Sequence, residues 1–182
     1  VFTSGATEAD NQAMLGLARG ARGGAMLTSP LEHAAVRSTA LWLASAGHEV
    51  RWVEPGPGGA ITPAAVAAAL SERPDVTAVS LMLVNNETGV LTDIAAIAEV
   101  VHEHGALLMT DAVQGFGLEA VQMASLGADV LTVSAHKIHG PKGVGALVMR
   151  EGLRLDAFHH GGEQERGLRP GTHDTAAIVG MG

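Results

Sequence analysis

The fold class of this chain is decided by residues 76–109, VTAVSLMLVNNETGVLTDIAAIAEVVHEHGALLM. Residues 76–84 are mostly apolar and rich in β-branched side chains, which is typical of a buried strand. Residues 92–104 carry apolar side chains at helical spacing and Gly105 follows them, so this segment predicts a helix. Residues 106–109 predict a second strand. This order of strand, helix and strand predicts a parallel pair in an α/β sheet.

The same alternation continues on both sides of this stretch. The predicted helices span residues 7–21, 32–46, 62–73 and 92–104, and the predicted strands span residues 25–28, 48–53, 76–84, 106–109, 130–133 and 144–149. Residues 1–5 are typical of a strand that enters a glycine turn. We therefore expect residues 1–182 to form one α/β domain, a mainly parallel sheet with helices on both faces.

The composition excludes several classes of function. The 11 Lys and Arg against 19 Asp and Glu give a net charge of −8, which argues against nucleic-acid and anionic-membrane partners because both need a basic surface. The chain contains no cysteine, so these residues offer no disulfide, thiolate metal site or cysteine nucleophile. The longest apolar run, residues 64–70, is far shorter than the ~20 residues of a membrane span. With no basic leader at its start, the sequence predicts a soluble, cytoplasmic protein.

Ligands of parallel sheets bind beyond the carboxyl ends of the strands, so the loops there are the place to look for chemistry. Residues 4–7, Ser-Gly-Ala-Thr, follow the first predicted strand and open a helix. Such a turn can bind an anion through exposed amides and the helix dipole. It can equally be an ordinary helix cap. From the residues alone, both interpretations stay open.

A carboxylate and a lysine follow two further strands. Asp111, with Gln114 three residues later, could hold a cationic nitrogen through a charge-assisted hydrogen bond, or could simply cap a turn. Lys137 ends the segment Ser-Ala-His-Lys after residues 130–133. In an apolar setting its pKa would fall, as Schiff-base chemistry requires, but a solvated loop lysine is the simpler interpretation. Lys142 is the competing candidate.

Three other loops carry polar residues at predicted strand ends. Residues 85–89, Asn-Asn-Glu-Thr-Gly, are either an Asx turn or a pair of ligand-orienting amides. His33, beside Glu32, lies where a predicted strand meets a predicted helix, and we expect it to line a cleft. Residues 161–172 form a long, glycine-punctuated loop, which favours a functional role over packing.

Nucleotide and metal sites are not expected. Residues 115–120 match G-x-G-x-x-A but lack the acidic residue about 20 positions on that would contact a ribose, and no phosphate-binding P-loop is present. The chain has 9 histidines, but none has a spacing that brings a carboxylate or a second pair alongside. We therefore expect no metal ion.

Taken together, six short motifs are more specific than any one of them. They are TSGATE at 3–8, EH at 32–33, NNETG at 85–89, DAVQ at 111–114, SAHK at 134–137 and GLRPGT at 167–172. Their residues and their order closely resemble those of the cysteine desulfurases, nearest the NifS/IscS-like group. These are class-V aminotransferase-like enzymes that depend on pyridoxal 5′-phosphate. The resemblance spans essentially the whole chain and implies the large domain of fold type I of the enzymes that use this cofactor.

The resemblance implies a role for each site residue. Lys137 is similar to the lysine that bonds covalently to the cofactor, Asp111 to the partner of its pyridine nitrogen, and His33 to a histidine that stacks on its ring and shuttles protons. The phosphate would be bound by Ala6, Thr7, Ser134 and His136. Gln114 would hydrogen-bond the ring hydroxyl oxygen, and Asn86 would lie near that oxygen. Thr172 resembles a threonine that reaches the phosphate of the neighbouring subunit, which implies a homodimer.

The implied reaction converts L-cysteine to L-alanine and leaves the sulfur as a persulfide on an enzyme cysteine. Iron–sulfur scaffold or other sulfur-acceptor proteins would then take the sulfur. The nucleophilic cysteine is not among the 182 residues, so the resemblance implies a segment before Val1 and a small domain after Gly182 that carries it. We expect these residues alone to be inactive. Selenocysteine lyase, another class-V aminotransferase or lyase, and a non-catalytic cofactor-binding fragment are the alternatives.

Overall fold

The computed structural model describes residues 1–20 and 24–182, and the described residues contain a single seven-stranded sheet. Its strands are β1 (Phe2–Thr3), β2 (Ala25–Thr28), β3 (Val50–Trp52), β4 (Val76–Ser80), β5 (Leu107–Asp111), β6 (Val130–Ser134) and β7 (Gly145–Met149). Across the sheet the order is β1-β7-β6-β5-β4-β2-β3. The strands β3, β2, β4, β5 and β6 pair with one another in parallel. The strand β7 is antiparallel to both of its neighbours, β6 and β1. The predicted mainly parallel sheet is confirmed.

Six α-helices accompany the sheet in the part of the chain that the structure describes. They are α1 (Ala6–Gly20), α2 (Ala34–Ser45), α3 (Pro63–Glu72), α4 (Ile94–Glu103), α5 (Met123–Leu126) and α6 (Thr175–Met181). Side-chain caps fix several of their starts, as the sequence predicts for Thr62, whose Oγ1 accepts a hydrogen bond from the Ala65 amide. No helix in the described part of the chain has the length and apolar character that crossing a membrane requires.

The core lies in two layers, one on each face of the sheet. Successive strand residues point to opposite faces, so Leu108 packs in the layer under α3 and α4 while Met109 packs in the layer under α1 and α2. All four helices present buried apolar side chains to the sheet, such as Met14 of α1 and Ile97 of α4. The central strands are therefore covered on both faces, which explains their unbroken apolar sequences.

Several predicted boundaries differ from the structure, and two of them adjoin the loops at the edge of the sheet. The strand predicted over residues 76–84 ends at Ser80, and residues 81 and 83 keep amide hydrogen bonds to β5 outside the regular ladder. The helix predicted from Glu32 begins at Ala34 because the ring of His33 caps it. The predicted end of the first helix at Ala21 lies outside the described residues.

The strand directions decide where a site can form. The strands β2, β4, β5 and β6 run parallel, and β1 runs with them because β7, which lies between β1 and β6, is antiparallel to both. Their carboxyl ends therefore meet at one edge of the sheet. The loops that leave this edge contain the predicted site motifs at residues 4–7, 32–33, 85–89, 111–114 and 134–137.

Candidate active site

A cavity of about 620 Å³ opens at this edge of the sheet. Its walls are the start of α1 and the loops that follow β2, β4, β5 and β6. The structure brings every predicted site residue except Thr172 to this cavity. These are Ala6, Thr7, His33, Asn86, Asp111, Gln114, Ser134, His136 and Lys137.

One end of the cavity is built to receive an anion. Gly5 turns the chain with a φ of 151°, and α1 begins at the next residue, so the amides of its first turn point out of the helix end. The turn sits close to Gly145, where a Cβ would lie 2.7 Å from the Gly5 carbonyl carbon. Beside it, Ser134 Oγ and His136 Nδ1 are hydrogen-bonded at 2.8 Å. Amides, a hydroxyl and an imidazole thus surround the same end.

Asp111 lies on the cavity floor and is 5% exposed. Its Oδ1 accepts a hydrogen bond from the Val113 amide at 2.9 Å. Burial raises the pKa of the Asp111 carboxyl, while the Val113 amide and the charges of His33 and Lys137 act in the opposite direction. The carboxyl therefore has a turn-forming contact and also faces the cavity, so the two interpretations of the sequence are compatible.

Both candidate lysines line the cavity. Lys137 ends the short 3-10 turn Ala135–Lys137 directly after β6, and its charge acts on Asp111. The side chain of Lys137 is exposed in the cleft. Of the two interpretations that the sequence left open, this exposure matches the solvated lysine, and the role of Lys137 stays a prediction.

His33 and the two asparagines have clearly different hydrogen-bonding states. The Nδ1 of His33 accepts the Ala35 amide at 3.1 Å, so a neutral ring carries its proton on Nε2. Asn85 forms the Asx turn: its Oδ1 accepts from the amides of residues 87 and 88, and its Nδ2 donates to the Leu31 carbonyl. Asn86 is exposed and lines the cavity. The side-chain amide of Asn85 thus stabilises the turn, whereas that of Asn86 is available to a ligand in the cavity.

Thr172 lies outside this cavity and lines a smaller one of about 110 Å³. The loop that carries it is anchored to α1, because Arg169 Nε donates to Glu8 Oε1 at 2.7 Å. Gln164 Oε1 also accepts the Gly171 amide at 3.1 Å within the loop. In the single chain, Thr172 does not line the cavity that the other predicted site residues share.

Asp10 is the site residue that the sequence analysis missed. It is 1% exposed, lines the cavity and accepts a hydrogen bond from Thr132 Oγ1 at 2.6 Å. Burial and the neighbouring Asp111 raise the pKa of the Asp10 carboxyl well above its ordinary value. A signal for it exists in the sequence, since Asp10 precedes the buried Ala13, Met14 and Leu17 at helical spacing and so falls on the apolar face of α1.

One carboxylate oxygen each of Asp10 and Asp111 and a ring nitrogen of His33 lie within 4.8 Å of one another. Three such atoms can surround a cation, but a cluster of this kind does not by itself establish a metal site. The absence of a metal ion therefore stays a prediction.

Comparisons with known proteins agree with this geometry. The Aminotransferase class-V family model matches residues 1–182. The cysteine desulfurase IscS of Azotobacter vinelandii is 49% identical over the whole chain, and that of Pseudomonas entomophila is 48% identical, with 46% of each relative covered. The chain thus spans about half the length of these relatives.

Three solved structures share the fold over the whole chain. SspA in complex with cysteine has a TM-score of 0.94 at 39% identity, with 53% of that chain covered. DndA from Streptomyces lividans has a TM-score of 0.89 at 42% identity, with 52% covered. A NifS-like protein has a TM-score of 0.94 at 36% identity, with 50% covered.

Proposed function

This chain belongs to the class-V aminotransferase family, and we propose that it is the cofactor-binding part of a cysteine desulfurase that depends on pyridoxal 5′-phosphate. Its sheet has the architecture of fold type I, as in its NifS-like structural neighbour. The observation that carries the proposal is the convergence of Lys137, Asp111 and the first turn of α1 on one cavity. A cytoplasmic location is part of the same proposal.

The residues present fit this cofactor. Its phosphate matches the anion end, where the first-turn amides of α1, Thr7, Ser134 and His136 line the wall. Its pyridine nitrogen matches the buried carboxyl of Asp111. The cavity volume of about 620 Å³ is that of a typical small-molecule site. Gln114 and Asn86 offer amides for the remaining polar groups of the ring and the substrate.

When bound, the cofactor supplies an electron sink for negative charge that develops at the substrate α-carbon. Asp111 would keep the ring nitrogen protonated, because its carboxylate is buried and faces the cavity. The exposed amine of Lys137 is free to bond to the cofactor and to exchange with the substrate amine. His33, whose Nδ1 is fixed by the Ala35 amide, would present Nε2 for proton transfer.

The proposed substrate is L-cysteine. The neighbour SspA is described in complex with cysteine, and the IscS relatives are named cysteine desulfurases. A cysteine thiolate outside these 182 residues would attack the substrate sulfur and form a persulfide as the carbon–sulfur bond breaks. The electron pair of that bond would stay with the carbon fragment, which would take up a proton to give alanine. An iron–sulfur scaffold or another sulfur-acceptor protein would then receive the sulfur.

We also propose a homodimer. Thr172 lies outside the cavity of its own chain, and its loop is held rigidly by the Arg169–Glu8 pair. A residue so placed can serve the phosphate end of a second copy of the cavity. Residues 1–182 would accordingly be the large domain of a longer subunit.

The test compares two lysines of the same cavity in the full-length protein. The Lys137→Ala variant is expected to lose both the absorption of the lysine-bound cofactor and alanine release from L-cysteine. The matched Lys142→Ala variant should keep the chromophore. A Lys137→Ala variant that retains the lysine-bound chromophore would contradict the assignment. Alanine formed from selenocysteine and not from cysteine would instead identify a selenocysteine lyase.

A further inference from the structure

The cavity floor contains a second buried acid that the proposed reaction does not use. The Asp10 side chain has one oxygen bound by Thr132 Oγ1 at 2.6 Å. Its other oxygen, Oδ2, is buried with no hydrogen-bond partner among the described residues. A buried carboxylate oxygen without a donor is costly, whereas the hydroxyl of a neutral carboxylic acid can itself donate to a group in the cavity.

The titratable groups near Asp10 come from β5, from the start of α2 and from the turn after β6. Asp111 ends β5, His33 begins α2, and both have a polar atom within 4.8 Å of an Asp10 oxygen. Glu32, just before His33, is fully buried and interacts with both Asp10 and Asp111. Lys137 follows β6 and acts on Asp111. The carboxyl groups of Asp10, Asp111 and Glu32 therefore lie close together, and few positive charges lie near enough to compensate them.

Resting on the function proposed above, we propose that Asp10 is a positioning residue that remains a neutral acid, held by Thr132 and presenting a hydrogen-bond donor on the cavity floor beside Asp111. Two buried carboxylates this close do not both ionise, because like charges in a low-dielectric site repel strongly. The pair then carries one negative charge, on Asp111. That single charge complements one cationic ring nitrogen.

The assignment of the proton to Asp10 follows from unequal surroundings. Asp111 accepts a backbone amide and lies near the cationic groups Lys137 and His33, which favour its ionised form. Within residues 1–20 and 24–182, Asp10 accepts a hydrogen bond only from the Thr132 hydroxyl, and Asp111 adds a repelling charge. Burial raises the pKa of both carboxyls; the Thr132 hydroxyl opposes this at Asp10, whereas an amide and two cationic groups oppose it at Asp111.

The first measurement is infrared spectroscopy of the full-length protein without cofactor at about neutral pH. The wild type minus Asp10→Asn difference spectrum is expected to contain the carbonyl band of a protonated carboxylic acid. The Glu32→Gln variant identifies the separate band of the other buried acid. The wild type minus Asp111→Asn difference spectrum should instead contain carboxylate bands, because the charge of the pair lies on Asp111. A wild type minus Asp10→Asn difference spectrum that contains only carboxylate bands would overturn the proposal.

The second measurement is the affinity for pyridoxal 5′-phosphate, followed by fluorescence titration against pH. Asp10→Ala removes the donor and is expected to weaken binding about tenfold, the equivalent of one buried hydrogen bond. Asp10→Asn, which supplies a neutral donor, should recover most of that loss and keep the wild-type pH profile. If Asp10→Asn binds as weakly as Asp10→Ala, or shifts the pH profile, the neutral-acid role is wrong.

The two measurements separate this proposal from the proposed function. The infrared band belongs to the protein without cofactor, so it does not depend on the reaction. A Lys137→Ala variant that retains the lysine-bound chromophore would refute the proposed function, and the infrared band of Asp10 would be unchanged. A missing band with a normal Lys137 chromophore would refute only the role of Asp10.

Discussion

The pair formed by Glu8 and Arg169 joins the first turn of α1 to the loop that carries Thr172. Glu8 Oε1 accepts from Arg169 Nε at 2.7 Å, and Oε2 accepts from the Ser4 amide at 2.9 Å. Burial opposes ionisation of Glu8, but the hydrogen bonds from Arg169 and Ser4 outweigh it and lower the pKa to about 2. We therefore expect the substitution Glu8→Gln to destabilise the folded protein.

The magnitude follows from the difference between this pKa and the ordinary value of 4.5. At about 1.4 kcal/mol per unit, the full difference corresponds to roughly 3.5 kcal/mol. Because water reaches the pair in part, screening reduces the expected loss to about 1–2 kcal/mol of the free energy of unfolding. The pKa is lowered in the folded state, so the contribution is complete above about pH 4.5 and disappears as the pH falls toward about 2.

Urea denaturation of the full-length protein at about pH 7 and about pH 3 tests this prediction. Glu119→Gln is the matched control, since Glu119 is exposed and its side chain has no hydrogen bond among the described residues. At neutral pH only Glu8→Gln should lose stability, and the loss should shrink at acidic pH. Equal stability of both variants at neutral pH, or a loss independent of pH, would refute the reasoning.

Two further predictions concern stability and binding. Asp129→Asn should cost about 2–3 kcal/mol in urea denaturation, because the buried carboxylate accepts the Leu108 amide at 2.8 Å and pairs with Arg150. Arg150→Ala, at a side chain 60% exposed, should cost under about 1 kcal/mol, and equal losses would contradict this account. Asn85→Ala should lower the melting temperature through loss of its turn, whereas Asn86→Ala should leave it unchanged and weaken cofactor affinity. The reverse pattern would exclude the assigned division of roles.

Much of the fold was predictable because local signals agree with tertiary packing. Thr62 followed by Pro63 marks the start of α3 in both sequence and structure. The apolar segments of β5 and β6 are buried on both faces, so their composition alone identified them. The end of β4 at Ser80 was not predictable, because residues 81 and 83 stay buried in the core and keep amide hydrogen bonds to β5 beyond the regular ladder.

Apart from Asp10 and Thr172, the sequence predicted which residues meet at the cavity, but not how buried each of them is. Parallel strand order explains why loops far apart in sequence meet at one cavity. Whether Lys137 is buried depends on how open the cavity is above β6, which no local pattern reports. Asp10 was missed because an acid near a helix start is usually a capping or dipole-stabilising residue. Only the packing of α1 on the sheet turns its side chain toward Asp111 and Thr132.

The central claim is that Lys137 is the residue that bonds to pyridoxal 5′-phosphate. Borohydride reduction of the full-length protein loaded with the cofactor, followed by proteolysis and mass spectrometry, locates the modified lysine directly. The account predicts a reduced phosphopyridoxyl group on Lys137, with Lys142 of the same cavity unmodified. A modification found on Lys142, or on no lysine of this chain, would contradict it.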